Sequence, residues 1–479
     1  MRVLLIHPPD NKVSLTFGRL EPLALEVLAA TIPEHEVQIL DLRIDNIHEL
    51  DHQLSYFKPN VTGITVNNTI HVKPARRILN HIRSREPHVI QLVGGHHPTM
   101  LPEDFHMPCV NIVFLGWAEK SFPEFIDSLA RGKNFDQIQG IEIVENGQLS
   151  VHNENPNDMD ASDIPYPRRE LIKKYHKKYR SDMGFRTALV NTTRGCTNRC
   201  TFCSVWRVNT GRVLIRRPED VYHEIVSLPH HINHIFFADD NTFMHPENHE
   251  KLCYMIRKAK IRKKYSGYCR SDIIIKFPDL MKAWKKIGLE NLCVGFEGTD
   301  NKKLEELNKR NIVSRNEEAA RILNKIGIPF RPHFLIDPSF DKEDFRRIIQ
   351  YVRQHHLTSP IFPILTPIPG TDQYVKAKSR IYLDYDYFDF AHAVVPTKMR
   401  VRDFYRAWIH LYHISYPVGR NLIHFFRKKI AGIIGNRKME EKNQHMRLVN
   451  LFLLRFFSIF LHFKLIRHYM WLEKRLAKI

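Results

Sequence analysis

At 479 residues the chain is long enough for two or three domains with full cores. Its 43% hydrophobic content excludes a disordered chain, and seven cysteines without paired spacings exclude a disulfide scaffold and suit a reducing, cytoplasmic compartment. The net charge of +20 gathers at one end, since residues 398–479 hold 18 Lys and Arg against 4 Asp and Glu. That leaves nucleic acid or an anionic membrane surface as partners to be weighed.

The first segment, Met1-Arg2-Val3-Leu4-Leu5-Ile6-His7-Pro8-Pro9, has too short an apolar run for a signal peptide. It reads as a buried strand ending at Pro8. Short apolar runs follow at 36–40, 61–66, 89–93 and 112–115, separated by helical periods at 22–30, 74–85 and 119–129. Residues 1–135 therefore predict a doubly wound, parallel α/β domain. Ligands of such sheets bind beyond the carboxyl ends of the strands. Asn67, in Thr65-Val66-Asn67-Asn68-Thr69, falls there, as do Gly94 and Gly95, in Gly94-Gly95-His96-His97-Pro98-Thr99. The glycines permit close approach of backbone to a ligand.

Residues 136–185 are polar and Pro-rich over 153–166 and charged over 173–180, which reads as a linker. From 186 to 385 strand-like runs recur at 188–192, 234–238, 265–269, 291–296, 330–336 and 361–365. Six strands with helical stretches between them fit a partial (β/α)6, TIM-like barrel, whose chemistry belongs at the carboxyl ends of its strands. The first of these runs leads into Thr193-Arg194-Gly195-Cys196-Thr197-Asn198-Arg199-Cys200-Thr201-Phe202-Cys203. Three thiolates at Cys-x3-Cys-x2-Cys can hold three irons of a [4Fe–4S] cluster and leave the fourth without a protein ligand. The alternatives are buried thiols or zinc. Zinc usually takes a fourth Cys or His, and neither His176 nor His223 stands at an obvious zinc spacing. Other strand ends bring Asp239 and Asp240, then Arg270 with Asp272, then Glu297 to the same edge. For Asp240 the alternative role is a helix N-cap, and for the others a structural ion pair.

The triplet, with the aromatic Phe202 just before its last Cys, resembles that of the radical S-adenosylmethionine (SAM) enzymes. The resemblance implies SAM chelated through its amino and carboxylate groups on the open iron. It also implies reductive release of a 5′-deoxyadenosyl radical, and an electron donor such as ferredoxin or flavodoxin. Phe202 would offer an apolar face near the adenine. Asp239 and Asp240 would face the SAM ammonium where the wider family carries Gly-Gly-Glu, with Arg270 beside them, and Glu297 would bind ribose hydroxyls. One departure is Phe334-Leu335-Ile336-Asp337-Pro338, which lacks the usual glycine after the fifth strand. The loops Val93-Gly94-Gly95-His96-His97-Pro98-Thr99 and Gly116-Trp117-Ala118-Glu119-Lys120-Ser121-Phe122 resemble the cobalamin-binding domain that precedes the barrel in one radical SAM subfamily. Cobalamin on residues 1–135 is implied, with Asn67, Gly94 and Gly95 at its site. The Asp-x-His-x-x-Gly motif that gives cobalt a histidine is absent. Its nearest approach, Asp104-Phe105-His106-Met107-Pro108-Cys109, lacks the glycine. His96 and His97 are therefore expected as loop residues. Together these features imply methylation of an unactivated carbon, with one SAM supplying the radical and a second remethylating cobalamin.

Residues 386–479 read as a separate helical region. Val401, Phe404, Tyr405, Trp408, Ile409 and Tyr412 recur at helical spacing. Residues 448–463 are apolar but broken by Arg455 and fall short of the roughly 20 residues that span a bilayer. They suit an interfacial helix or a cap on the barrel. Peripheral contact with the inner membrane face through residues 401–470 is the expectation. Asp389-Phe390-Ala391-His392-Ala393-Val394-Val395-Pro396-Thr397-Lys398-Met399, with Arg402-Asp403-Phe404-Tyr405, resembles the C-terminal region of the hopanoid C-3 methylases, which implies a lipid substrate. Charges in the tail alternate with apolar runs instead of forming a polar basic stripe, so nucleic acid is not expected. A radical SAM enzyme acting on another small molecule (a tetrapyrrole or natural product) or on RNA is the alternative, as is a non-catalytic sensor.

Overall fold

The computed structural model describes residues 1–11, 19–182 and 184–415. Strands β1 (Arg2–His7), β2 (Glu36–Asp41), β3 (Val61–Thr65), β4 (Ile90–Gly94) and β5 (Ile112–Phe114) pair in parallel, in the order β2-β1-β3-β4-β5. They are near-continuous apolar runs because helices cover both faces. Leu25, Phe122 and Phe125 pack with Val3, Leu5 and Val61 on one side. Leu50, Leu54, Ile78 and Ile82 pack with Leu4, Ile6 and Ile64 on the other. The winding reverses between β1 and β3, and the crevice beyond a reversal is where such sheets take ligands.

The stretch expected as a linker is largely structured. Strands β6 (Ile141–Glu145) and β7 (Gln148–Asn153) form a hairpin that extends the first sheet antiparallel to β5. Ile172, Tyr175 and Tyr179 belong to the first core, and the Tyr179 hydroxyl donates to Asp41 at 3.0 Å. The charges of 173–180 hide two aromatic residues that find partners only in the fold.

The second sheet begins with β8 (Thr187–Val190). A short antiparallel ribbon of β9 (Thr193–Arg194) and β10 (Leu214–Ile215) brackets the cysteine loop. Strands β11 (His234–Phe237), β12 (Lys264–Cys269), β13 (Leu289–Glu297) and β14 (Phe330–Phe334) complete a parallel sheet in simple sequential order. Helices Pro218–Ser227, Pro246–Lys258, Pro278–Ile287, Val313–Ile326 and Lys342–Gln354 alternate with the strands. Three of these helices open on proline, whose fixed φ and missing N–H suit a first helical position.

The sixth expected strand is not a regular one. Residues 361–365 pair through isolated parallel bridges, Ile361 with His333 of β14 and Ile364 with Ile336 just beyond it. Pro360 and Pro363 have no N–H for a ladder. The outer edge of this segment is covered by helix Val401–Ser415. Trp408 Nε1 donates to the Phe362 carbonyl at 2.7 Å, and the Phe362 N–H donates to the Tyr412 hydroxyl at 3.1 Å. Phe404, Tyr405, Trp408 and Ile409 are buried in the barrel core. This part of the region expected to be separate and membrane-facing is therefore a cap, because its apolar stripe meets an edge with backbone groups to satisfy. Residues 448–463 lie outside the described residues. No described helix is long and apolar enough to cross a membrane.

The two sheets meet at a buried charge cluster. The Arg169 guanidinium lies 3.4 Å from Glu21, 3.9 Å from Glu26 and 2.8 Å from Glu224, and Arg216 reaches Glu224 at 2.6 Å. Glu21 also accepts the Leu189 N–H of β8 at 2.6 Å. Neither oxygen of Glu26 has a hydrogen-bond partner among the described residues. Burial, with the Glu21 carboxylate next, pushes the Glu26 carboxyl well above its usual range. With Glu26 protonated, two carboxylates balance two guanidiniums.

Removing the cation by Arg169→Met should cost about 3–5 kcal/mol in denaturant unfolding, since carboxylates are left buried and unpaired. Glu26→Gln should act oppositely. A raised folded-state pKa gives stability that is present below the ordinary glutamate pKa and lost as pH rises through the folded value. The gain in Tm of Glu26→Gln over wild type should therefore be smallest near that ordinary value and grow with pH. A constant difference across the range would contradict a protonated Glu26.

Candidate cofactor-binding site

The cysteine loop is fastened to the sheet before it begins. Asp239, just past the end of β11, accepts the Thr192 N–H at 2.7 Å, the Thr193 N–H at 2.9 Å and the Thr192 hydroxyl at 2.7 Å. Burial pushes its carboxyl up to about 6, against those three bonds. Asp240 accepts the Gly195 N–H at 2.8 Å. Gly195 has φ +96°, and a Cβ there would lie 2.2 Å from the Arg212 carbonyl, so no other residue fits this turn. Cys196 follows at a fixed point on the barrel mouth.

The loop is also held from the far side. The Thr201 N–H donates to the Leu307 carbonyl at 3.0 Å, and the Gln373 N–H donates to the Thr201 carbonyl at 3.1 Å. Asn308 Nδ2 donates to the Arg199 carbonyl at 2.7 Å, and Trp206 Nε1 to the Cys200 carbonyl at 3.1 Å. Phe202 rests against Leu307, Leu335 and Leu365. Cys196, Cys200 and Cys203 are free thiols. Among the described residues no three His, Cys, Asp or Glu side chains converge on one ion. Three thiolates on one loop can each take a separate iron of a cluster.

The surroundings are charged and dry. Lys309 Nζ pairs with Glu297 at 2.7 Å, both buried, and the Arg270 guanidinium donates to the Lys309 carbonyl at 3.2 Å. Burial pushes the Cys200 thiol up, opposed by Lys309 and Arg270, and burial pushes Cys203 up to about 12. Metal must therefore displace bound protons, as thiolate sites require. Glu297 holds φ +63°, an uncommon conformation for a non-glycine residue. Its carboxylate folds back over Gly295, where a Cβ would come within 2.3 Å of it. Such outliers cluster at functional sites.

All five barrel residues expected beside the cluster reach this edge, with different freedom. Both Asp239 oxygens are spent on the backbone and hydroxyl of residues 192–193. Asp240 keeps one oxygen without a hydrogen bond among the described residues. Arg270 is tied to Asp272 at 3.1 Å and to carbonyls. Glu297 is paired with Lys309, and Phe202 flanks Cys203. Sequence reasoning missed Lys309, in Asn308-Lys309-Arg310-Asn311, because its partner Glu297 meets it only in the fold. It also missed Asn308 and Arg310, whose φ values of +48° and +51° shape the loop that grips Thr201.

The first domain presents Asn67, Gly94 and Gly95 at the carboxyl ends of β3 and β4. Gly95 has φ +114°, and a Cβ there would stand 2.7 Å from Asn67 Oδ1 and 3.0 Å from the Val66 carbonyl. Only glycine fits this turn, which packs the loop against Asn67 and Val66 at the edge where such sheets take ligands. His97 is buried, with Nδ1 3.2 Å from the Thr69 hydroxyl and Nε2 2.8 Å from Asp104. Both ring nitrogens are engaged, so His97 is not a free metal ligand, and it lies in a short helix instead of the loop expected. His96 turns toward the other domain: burial lowers its pKa, while Asp240 opposes that effect. Helix His96–Met100 contacts helix Val205–Val208, which follows the cysteine loop. Glu119 pairs with Arg194 at the same seam. The two carboxyl edges thus face one another, and the residues present fit a three-cysteine cluster on one and a corrinoid on the other.

Comparison with known proteins agrees. Residues 190–352 match the family model for the Radical SAM superfamily, and residues 15–126 match that for the B12 binding domain. The chain is 27% identical over 422 residues to the hopanoid C-3 methylase of Methylococcus capsulatus, covering 87% of this chain and 80% of that one. It is 25% identical over 346 residues to the bacteriochlorophyllide d C-12(1)-methyltransferase of Chlorobaculum tepidum, covering 71% and 70%. Among solved structures, the cobalamin-dependent SAM radical enzyme OxsB, with aqua-cobalamin and SAM bound, superposes with TM-score 0.67 at 17% identity, over 95% of this chain and 72% of that chain. The radical SAM methyltransferase TsrM from Kitasatospora setae, with cobalamin and a [4Fe–4S] cluster, gives 0.65 at 21% identity, over 79% and 78%.

Anaerobic reconstitution of the triple variant Cys196→Ala/Cys200→Ala/Cys203→Ala should yield no bound cluster iron, while changing Cys109, Cys253, Cys269 or Cys293 should leave iron content unaltered. Asp239→Asn touches no iron, yet it loses an acceptor for residues 192–193. It should reduce reconstituted iron several-fold while circular dichroism stays native; undiminished iron would show that the tether is dispensable.

Proposed function

We propose, for a chain that belongs to the radical SAM C-methyltransferases with an N-terminal B12-binding domain, that it methylates an unactivated carbon of a hopanoid-type polycyclic triterpenoid. The observation that carries this reading is the extent of likeness to the hopanoid C-3 methylase, which spans 87% of the chain. When bound, the cluster with SAM supplies a carbon-centred radical, and cobalamin supplies the methyl group. In this reading Cys196, Cys200 and Cys203 hold three irons. Asp240, with its open oxygen, accepts from the SAM ammonium in a charge-assisted bond, while Asp239 positions the loop. Glu297 and Lys309 exchange each other for the ribose hydroxyls and carboxylate of SAM, with Arg270 alongside. Asn67, Gly94 and Gly95 line the corrinoid. Ferredoxin or flavodoxin delivers the electron, and contact with the membrane falls to residues beyond the cap helix. Likeness to the bacteriochlorophyllide methyltransferase favours a second reading, a tetrapyrrole substrate.

Lipid mass spectrometry of hopanoid-producing cells fed methyl-deuterated methionine decides between these. Cells carrying the protein should accumulate hopanoids heavier by one labelled methyl group, and cells carrying the cysteine triple variant should not. Unchanged hopanoids, in cells where the wild-type protein still releases 5′-deoxyadenosine, would overturn the lipid reading.

A further inference from the structure

β12 is the central strand of the barrel sheet, and central parallel strands are normally covered on both faces. The outer face obeys this rule, with Tyr265 and Cys269 in the core beneath the helices. On the concave face Tyr268 keeps 43% of its surface exposed. Leu189, Phe236 and His333, on β8, β11 and β14, are also partly exposed. The barrel interior is open, and its wall is aromatic. The Tyr268 ring meets Phe236 edge-on at 5.5 Å and His333 at 6.1 Å. Between them β13 presents only Cys293, level with Tyr268, and Gly295, level with His333. The Glu297–Lys309 pair covers Gly295, so the open part of the wall lies over Tyr268 and Phe236.

This open wall offers no uncompensated charge. Asp182 pairs with Arg331, Glu297 with Lys309 and Asp272 with Arg270. Burial lowers the His333 imidazole to about 4, Glu297 opposing, and burial raises the Tyr268 phenol. Both are neutral near pH 7. Neither the Tyr268 hydroxyl nor the His333 ring nitrogens hydrogen-bond to any described residue. Two neutral polar groups therefore face the barrel interior without a hydrogen-bond partner among the described residues, free to bond a ligand.

We propose that the barrel interior takes an uncharged, largely apolar ring system, and that Tyr268 and His333 determine specificity by hydrogen bonding a neutral oxygen, hydroxyl or carbonyl, on it. The proposal deepens the reading above and rests on it for placing the substrate at this barrel. A carboxylated macrocycle would bring a charge where Arg270, Lys309 and Arg331 are each already paired, and an unpaired buried charge is costly.

Holoprotein loaded with cluster and cobalamin is dialysed against four probes: a pentacyclic triterpenoid alcohol, the hydrocarbon of the same skeleton, a porphyrin dicarboxylate and its dimethyl ester. SAM binding is measured in parallel. The alcohol should bind about 10-fold more tightly than the hydrocarbon, the value of one or two neutral hydrogen bonds. Tyr268→Phe, which removes one oxygen, and His333→Phe should each shrink that preference while leaving hydrocarbon and SAM affinity unchanged. The ester should bind more tightly than the diacid. A preference that survives both variants, a loss of SAM affinity in Tyr268→Phe, or a diacid bound as tightly as its ester would overturn the proposal. Binding of the ester with no triterpenoid bound would support the charge rule and sink the hopanoid reading; triterpenoid binding indifferent to both variants would support the hopanoid reading and overturn the role of Tyr268 and His333.

Discussion

The Arg169 guanidinium, sealed among Glu21, Glu26 and Glu224, fixes where the chemistry of this chain can happen. Glu21 belongs to the first domain and accepts the Leu189 N–H of β8, so the cluster fastens the first barrel strand to the neighbouring sheet. Three residues later Asp239 takes over, holding residues 192 and 193. Asp240 then holds Gly195, and the cysteines follow. A buried ion pair is a poor source of net stability, because desolvation offsets most of the attraction. Its consequence here is positional: removing one partner strands the others, so alternative dockings of the two domains carry an unpaired charge.

That docking turns the carboxyl edges of both parallel sheets toward a single seam. A parallel sheet collects its ligand-binding loops at one edge, so two sheets placed edge to edge can bring two cofactors to one substrate with no further machinery. The electrostatics differ across the seam. On the barrel side, Lys309 and Arg270 stand near Cys200 with a single buried carboxylate, Glu297, between them. On the corrinoid side the histidines are engaged, His97 with Asp104 and His71 with Asp10. The open barrel interior beneath is neutral, which suits a radical reaction on carbon, where no charge develops that the protein must stabilise.

Much of this was readable in the sequence, for physical reasons that differ by element. Buried parallel strands are continuous apolar runs, so β1–β5, β8 and β11–β14 stood out within a residue or two of their ends. The cysteine triplet was legible because its ligands are local. Gly95 was singled out for close approach to a ligand, and the structure adds that its φ of +114° admits only glycine. What depended on distant partners was not. Tyr175 and Tyr179 sit in a run of lysines and pack only once the sheet exists. Lys309 is separated from Glu297 by a helix and a left-handed loop. Asp239 was read as a SAM contact because its position at a strand end was visible, whereas its three bonds to residues 192–193 were not. Residues 361–365 passed as a strand on hydrophobicity, although their prolines break the ladder, and the helix that covers them was assigned to the membrane because an apolar stripe does not say what it faces.

The account stands on two cofactors acting in one turnover on one substrate. The most direct measurement quantifies, in a single anaerobic reaction of the reduced holoprotein with SAM and a hopanoid, the 5′-deoxyadenosine, S-adenosylhomocysteine and methylated product formed. Equal amounts of all three are expected, one SAM being spent on the radical and one on the methyl group. Methylated product with S-adenosylhomocysteine but without 5′-deoxyadenosine would contradict the account, since the methyl group would then have moved without a radical at the substrate carbon.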